Sequence, residues 1–283
     1  MRCTIRVLSA GALALALAGA AAACERERPD PARAADAIFT GAGAEWVDLS
    51  YAFDERTIFW PTATPFELEV VSAGVTPAGF YYAANDFRTA EHGGTHLDSP
   101  IHFAEGKRTT DEIPIAQLVG PAVVVDVSES AAANPDYRVT VADLEAWEAA
   151  HGRMPEGAIV LLRTGWGRFW PDRARYLGTE KTGPEAVPEL HFPGLHPEAA
   201  RWIVENRSVD AVGIDTPSID FGQSTLFESH QTLFAANVPA FENVAALERL
   251  PATGAYVVAL PMKIAGGSGG PLRIVGVIPR PGG

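Results

Sequence analysis

The stretch EHGGTHLDSPIHF, residues 91–103, is the most informative segment of this 283-residue sequence. It places His92, His96, Asp98 and His102 within eleven positions of a chain that has only 7 histidines. Histidine and carboxylate side chains are ligands that suit zinc, or manganese where more oxygens join. This density predicts a metal site in preference to incidental surface histidines.

Two adjacent glycines lie between the first two histidines. In an extended strand His92 and His96 would stand about 13 Å apart, at roughly 3.3 Å per residue. One ion held at about 2 Å could hardly be reached from both. Gly93 and Gly94 let the chain curl, because glycine adopts backbone angles that other residues avoid, and they disfavour a helix. We therefore expect a curved strand or turn, in which His96 and Asp98 share one face.

The third histidine follows a proline. Pro100 bends the chain and brings His102 near the same centre, without requiring that it bind the ion. A metal with an open coordination position lowers the pKa of a bound water to about 7, and a nearby imidazole can shuttle its proton. His102 is therefore the candidate catalytic residue, whereas His92, His96 and Asp98 are candidate metal ligands.

A second cluster lies in FESHQTLFAANVPAFENV, residues 227–244. Residues 227–236 are predicted to form a helix that ends before Pro239. His230 lies on this helix and Glu242 follows the break. Taken alone, this spacing favours ordinary helix and surface residues.

The remaining pattern predicts an α/β domain. Near-continuous apolar runs indicate strands buried on both faces, at residues 122–127, 158–164, 210–215 and 255–261. Between them, Thr140 is a predicted N-cap for a helix that ends before Gly152, and Pro197 opens another. This alternation of helices and strands is typical of α/β architecture. The tail IAGGSGGPLRIVGVIP, residues 264–279, is glycine-rich and then strand-like. Its glycine-rich part lacks the features of a phosphate loop.

The N-terminus has the pattern of an export signal. Basic residues precede an apolar run over residues 7–23, and AAAC ends at Cys24. Residues 1–24 resemble a bacterial lipoprotein signal, with an uncleaved anchor or an incidental Cys24 as the alternatives. Residues 25–44 are predicted to be a flexible tether. We expect an exported protein, periplasmic or tethered to the membrane only through a lipid.

Composition limits the remaining possibilities. The chain carries a formal net charge of −13 and 20% charged residues, so no basic stripe is present for nucleic acid. The only other cysteine, Cys3, lies within the predicted signal, so no internal disulfide is expected after cleavage. Residues 45–283 are long enough for one domain with a sizeable core.

The motif resembles the signature of the cyclase-like metal-dependent hydrolases, the family of bacterial kynurenine formamidase and isatin hydrolase. Their pattern is His-x-Gly-Thr-His-x-Asp-x-Pro-x-His, and the matching residues are His92, Gly94, Thr95, His96, Asp98, Pro100 and His102. The resemblance extends from VDLSYAF, residues 47–53, to VIPRP at residues 277–281. It implies a single domain of swivelling β/β/α fold, commonly dimeric.

The resemblance also implies roles for individual residues. His92, His96 and Asp98 correspond to ligands of a first metal, and Asp98 to the bridge toward a second. The formamidases complete the second site with a His and a Glu twelve residues apart, the separation of His230 and Glu242. His102 corresponds to the proton donor and acceptor, and Trp60 to an aromatic residue of the substrate pocket, with a core role as its alternative.

The implied function is hydrolysis of an amide or cyclic amide by metal-bound hydroxide, with a small aromatic or ring-shaped substrate. One or two divalent ions are expected, zinc first and manganese as the alternative, because isatin hydrolase holds a single manganese. A lactone or other ester substrate, and an exported metal- or ligand-binding lipoprotein without turnover, are the competing hypotheses. An insert at residues 165–197 is absent from the compact formamidases and is expected to shape the pocket or a subunit contact.

Overall fold

The computed structural model describes residues 43–280. The predicted signal peptide, residues 1–24, and nearly all of the predicted tether lie outside these described residues. Twelve strands are present within them, at β1 Ala44–Asp48, β2 Glu67–Val75, β3 Tyr81–Arg88, β4 His96–Asp98, β5 Val119–Asp126, β6 Arg138–Val139, β7 Ala158–Arg163, β8 Gly194–Leu195, β9 Val209–Ile214, β10 Ala240–Glu242, β11 Tyr256–Pro261 and β12 Gly269–Pro279.

Five α-helices accompany the strands in the described part of the chain. They are α1 Ser128–Ala133, α2 Val141–His151, α3 Arg173–Leu177, α4 Pro197–Asn206 and α5 Glu228–Ala235. Short 3₁₀ helices lie at Pro100–His102, Thr110–Glu112, Ile115–Leu118, Trp166–Phe169, Pro184–Glu189 and Leu247–Arg249. No helix in residues 43–280 is long and apolar enough to cross a membrane.

The main sheet closes on itself through the strand of the histidine motif. Its order is β1-β12-β11-β5-β7-β9-β10-β4, and β4 pairs additionally with β12. β5, β7, β9 and β10 run parallel to one another, whereas β4 is antiparallel to both of its neighbours. Seven strands therefore form a hydrogen-bonded ring, with β1 attached outside it.

The central parallel strands are buried on both faces, as the apolar runs predict. Along β5 and β7, alternate side chains enter two separate clusters. Val123 and Val160 belong to one cluster, which α2 and α4 cover, while Val124 and Leu161 belong to the other, beneath β11 and β12. The sheet consequently separates two apolar layers, which gives the α/β arrangement of this domain.

The predicted helices are confirmed with nearly the expected ends. Helix α2 begins after Thr140, whose hydroxyl accepts from the amide of Asp143 while the Asp143 carboxylate accepts from the amide of Thr140, a reciprocal cap. Pro197 opens α4, and α5 lies within the predicted residues 227–236. Local capping chemistry therefore sets the starts of α2 and α4, whereas Phe227 before α5 makes no side-chain capping bond.

The insert at residues 165–197 packs against Ile58 and Trp60. It contributes a third buried cluster, formed by Trp166, Tyr176, Leu177, Leu190 and Phe192 together with Ile58, with Trp60 packed against it. Its two histidines have structural roles, since His191 contacts Asp136 at 2.9 Å and His196 caps α4. The insert supports the wall of the cavity described below without lining it.

Strands β2 and β3 form a hairpin that pairs with no other described strand. Their register places eight side chains on one face, and Asn85 is the only polar one among them. The large ones are 54–74% exposed. We call this surface the apolar hairpin face; its residues are Leu68, Val70, Ala73, Val75, Tyr81, Ala83, Asn85 and Phe87.

Candidate active site

The two glycines of the motif produce the curl that the sequence predicts. Gly93 forms a bridge with Phe59, and a Cβ atom there would lie 1.9 Å from the Phe59 ring. Gly94 has a φ of +55°, in the left-handed region that favours glycine. The chain then enters β4 at His96, so the curl turns the side chains on either side of it toward one centre.

His96 offers an unpaired lone pair to this centre. Its Nδ1–H donates to the carbonyl of Gly94 at 2.9 Å, which leaves Nε2 unprotonated in the neutral ring. Nε2 lies 3.1 Å from Oδ1 of Asp98 and 3.3 Å from Oε2 of Glu242, yet it is buried and makes no hydrogen bond. A buried acceptor that faces two carboxylates fits a cation between them.

His92 approaches the same carboxylate from the other side. Its Nδ1 lies 2.6 Å from Oδ1 of Asp98, and its Nε2 lies 2.9 Å from Oγ of Ser268. The Ser268 hydroxyl donates to Glu91, 2.5 Å away, because a carboxylate can only accept. Nε2–H of His92 therefore donates to Ser268, and Nδ1 is the atom directed at the centre.

His230 completes the cluster from helix α5. Its Nδ1–H donates to Oδ2 of Asp220 at 2.6 Å. In the neutral ring Nε2 therefore carries a lone pair, which is directed at the cluster. Nε2 lies 3.2 Å from Oδ2 of Asp98 and 3.0 Å from Oε1 of Glu242. A histidine that is oriented by a carboxylate and directed at two more carboxylates is a typical metal ligand with its supporting partner.

The structure brings all five predicted ligands together. Oδ1 of Asp98 faces His92 and His96, whereas Oδ2 faces His230. Glu242 divides its oxygens in the same way between His96 and His230. Bridging carboxylates of this kind can serve one ion or two neighbouring ions. The donor set fits a divalent metal, and the His–carboxylate chemistry agrees with zinc or manganese.

Carboxylates dominate the electrostatics of this cluster. Burial lowers the pKa of His96, but Asp98 and Glu242 outweigh it and raise that pKa to about 10. Burial likewise opposes a charge on His230, and Asp220, with the other two carboxylates, raises its pKa well above the ordinary value. These carboxylates therefore favour the charged form of both rings when no metal is bound, and a cation that binds at Nε2 would have to displace the additional proton from that atom.

His102 stands apart from these five residues. Its ring stacks on that of His92, and the ring nitrogens make no hydrogen bond to another described residue. Burial lowers the pKa of His102 to about 4, so the imidazole is neutral at neutral pH. Ligand atoms of His92, Asp98 and His102 lie within 4.8 Å of one another, so His102 is close enough to serve either beside a metal or as a ligand to it.

A cavity of about 300 Å³ opens onto the cluster. Its apolar walls consist of Ile58, Phe59, Trp60, Ala63, Ala90, Phe103, Pro217 and Phe227. Trp60 is half-buried and meets Phe192 and Phe227 edge to face, so it both lines the cavity and packs against the insert. None of the described residues that line the cavity is an arginine or lysine.

Several supporting residues were not singled out from the sequence. Asp220 lies in the segment between β9 and α5, and Ser268 lies in the glycine-rich segment before β12. Asn243 was passed over although it directly follows Glu242. The position of Asn243 next to a predicted ligand was the one sequence signal that could have identified a supporting residue. Asp220 and Ser268 come near the site only when the chain folds.

The family model described as "Putative cyclase" matches residues 47–221. The chain belongs to the cyclase family. This membership confirms the resemblance stated from the histidine motif, and the α/β sheet of the structure agrees with it.

Individual cyclase-family relatives are similar over most of the chain. An isatin hydrolase from Roseibium aggregatum is 34% identical over 210 residues, which cover 71% of this chain and 77% of the relative. A kynurenine formamidase from Bacillus cereus is 29% identical over 238 residues, or 82% of this chain and 97% of the relative.

Among solved structures, isatin hydrolase A from Labrenzia aggregata bound to benzyl benzoate matches with a TM-score of 0.78. The two are 33% identical, and the match covers 88% of this chain and 98% of that one. The predicted cyclase-like α/β fold is thereby confirmed. Membership of the cyclase family, with hydrolases as relatives, makes the chain a metal-dependent hydrolase.

Proposed function

We propose that this protein hydrolyses the C–N bond of a small, uncharged, ring-containing amide, with a fused-ring lactam such as isatin as the preferred type. The observation that carries this choice is the cavity, whose walls are aromatic and aliphatic and whose lining includes no arginine or lysine. Such walls hold a flat ring by stacking and apolar contact.

The absence of arginine and lysine from the described lining argues against charged substrates. N-formylkynurenine is the formamide that corresponds to the name of the kynurenine formamidase relative. It carries an ammonium and a carboxylate. Burying that carboxylate in this cavity without a paired cation is unfavourable. A neutral lactam avoids this cost.

The residues of the site divide the chemistry as follows. His92, His96, Asp98, His230 and Glu242 would hold the metal. A divalent ion held there supplies polarisation of the substrate carbonyl and a lowered pKa for water. The neutral ring of His102 accepts the proton of the attacking water and donates it to the nitrogen that leaves as the C–N bond breaks. Trp60 holds the ring of the substrate against the cavity wall.

We propose zinc as the ion, in one or two copies. Zinc prefers mixed nitrogen and oxygen ligands. The cluster offers three imidazoles and two carboxylates, with distances of 2.6–3.3 Å between neighbouring ring nitrogens and carboxylate oxygens. The two oxygens of Asp98 face opposite sides of the cluster, which supports two adjacent positions. Manganese suits the same residues if additional oxygen ligands join.

Metal analysis and a matched substrate panel test this proposal. The purified protein, loaded with zinc or with manganese, is assayed against isatin, N-formylkynurenine, an aryl lactone and an unsubstituted formanilide. Ring opening of isatin at a kcat/KM at least tenfold above that for N-formylkynurenine is expected. Preferred cleavage of N-formylkynurenine contradicts the substrate choice, and a loaded protein that cleaves no compound favours the binding hypothesis.

We propose that the protein works as a homodimer joined through the apolar hairpin face. A two-stranded hairpin is marginally stable by itself in water, and this one exposes large apolar side chains along its length. A second copy is the favoured occupant, because the face contains no charged residue that an identical surface would leave unpaired. Its exposed side chains and their symmetry mates offer the apolar centre that stable interfaces need.

We also propose that the protein is exported and that Cys24 carries a lipid. The support is the basic, apolar and small-residue order of residues 1–24. Fractionation of producing bacterial cells, with the Cys24→Ser variant beside the wild type, tests it. Membrane association of the wild type and release of the variant are expected; wild-type protein found in the cytoplasmic fraction contradicts the proposal.

A further inference from the structure

The metal ligand His96 is linked to the insert by a chain of buried hydrogen bonds. The carbonyl of Gly94 accepts from Nδ1–H of His96 at 2.9 Å and from Nδ2 of Asn243 at 2.7 Å. The hydroxyl of Tyr176 then lies 2.8 Å from Oδ1 of Asn243. Tyr176 belongs to the insert, so this segment reaches the centre through two intermediate groups.

The orientation of each group in this chain is determined by its neighbours. A carbonyl can only accept, so the Asn243 amide must direct its nitrogen at Gly94 and its oxygen at Tyr176. The Tyr176 hydroxyl donates to Asn243 Oδ1, and its single proton is shared with the carbonyl of Asp215 at 3.0 Å. No alternative amide orientation satisfies these contacts.

The backbone of Asn243 is held equally firmly. Its φ of +53° lies in the left-handed region, which asparagine tolerates better than most residues. Its amide donates to Thr216, and its carbonyl accepts from Thr95 Oγ1 at 2.8 Å. Asn243 and Tyr176 are both buried, so these hydrogen bonds are shielded from bulk solvent.

We infer that Tyr176 and Asn243 are positioning residues that fix the ring of His96 and its Nδ1–H form, so that Nε2 is held ready for the metal. The inference rests on the proposed function only in requiring a metal at His96. It explains why an insert that does not line the cavity packs so tightly behind it. Partners of this kind affect metal affinity about 10–100-fold in other metal sites.

Removal of the Tyr176 hydroxyl is the first test. Zinc-loaded full-length Tyr176→Phe should release zinc to a chromogenic chelator about tenfold faster than the wild type. The Co²⁺-substituted variant should show a shifted visible spectrum. Tyr137→Phe is the matched control, because it removes a hydroxyl that bonds Asp143 at the start of α2; it should behave as the wild type.

A double-mutant cycle separates positioning from general loosening. Asn243→Gly removes the amide while accepting the positive φ, and it should accelerate zinc release even if the tyrosine variant fails to fold. In that background Tyr176→Phe should add less than about a twofold effect. Wild-type release rates in Tyr176→Phe, or effects that simply multiply, overturn the inference alone. A wild-type protein that binds no zinc overturns the proposed function as well.

Discussion

The imidazole of His102 stacks on that of His92, with ring centroids 3.8 Å apart and 17° between the planes. The stack keeps His102 beside the ligand cluster, and of the two stacked rings only that of His92 directs a nitrogen at Asp98, at 2.6 Å. Two histidines of one motif that stack on each other thus have different surroundings. That difference supports a division of labour between holding a metal and moving a proton.

Replacement of His102 tests this division. His102→Gln should lower kcat by about 10²–10⁴, the usual contribution of a general acid–base group, while bound zinc stays near the wild-type amount. His191→Gln, which alters an exposed histidine paired with Asp136, serves as the control and should leave both quantities unchanged. Joint loss of zinc and activity in His102→Gln would identify His102 as a ligand.

Metal affinity should weaken as the pH falls. His96 has a pKa of about 10 without metal, so below that pH a cation must displace its proton. The apparent dissociation constant for zinc should rise about tenfold per pH unit for each proton displaced. Calorimetry in two buffers of different ionisation enthalpy measures the released protons. An affinity that is constant from pH 6.5 to 8.5 would contradict this expectation.

The same pKa shift predicts opposite pH trends for the two forms of the protein. A raised pKa gives His96 a stabilising contribution that is complete below pH 6.5 and is lost as the pH rises toward 10. The metal-free protein should therefore lose part of this contribution between pH 6.5 and 8.5. The zinc-loaded protein should gain stability over that range, because metal binds more tightly. Melting temperatures measured with zinc and with a chelator make the comparison.

Asp220 should control the half of the cluster formed by His230. Asp220→Asn removes the charge that orients the ring, although the backbone amides of Ser229 and His230 keep an oxygen partner. Zinc affinity at that half should fall about 10–100-fold, seen as a lower zinc content after dialysis. Asp136→Asn alters a comparable Asp–His pair on the surface and should have no effect.

Trp60 should affect substrate binding more than the chemical step. Its ring lines the cavity without contacting the ligand cluster, so Trp60→Ala should raise KM for isatin about tenfold through lost stacking and apolar contact. The kcat should change by less than about threefold. Trp202→Ala is the control, because it removes a half-buried indole of α4 that packs against the core and does not line the cavity. A large fall in kcat at unchanged KM would assign Trp60 a different role.

The apolar hairpin face should determine the oligomeric state. Tyr81→Glu places a charge on the proposed interface, opposite Val75 at the turn end of the hairpin, and should shift the protein to monomers in light scattering. Tyr82→Glu makes the same change at the neighbouring residue, whose side chain lies on the opposite face of the hairpin. It should leave the dimer intact. A monomeric wild type, or equal behaviour of the two variants, would contradict the proposal.

The sequence predicted the ligands better than their supports, for a physical reason. His92, His96 and Asp98 lie so close along the chain that the turn at Gly93 and Gly94 alone can orient them. His230 and Glu242 needed the family resemblance, because their approach depends on α5 and β10 meeting in space.

The supporting groups could not be found by either route. Asp220 and Ser268 have no recognisable spacing from the residues they hold, and only the closed sheet brings them near. The central strands were predictable because burial on both faces leaves an apolar run. The hairpin of β2 and β3 was missed because its pattern mixes apolar and polar residues and has no neighbouring strand.

The ring of strands gives the site a place in the order of synthesis. β4 is joined on one side to β12, the last strand of the described residues, and Ser268, which directly precedes that strand, hydrogen-bonds His92. A growing chain therefore carries its histidine motif long before the partners of that motif have been synthesised. A chain that stops short of residue 268 would lack both the second neighbour of β4 and the partner of His92.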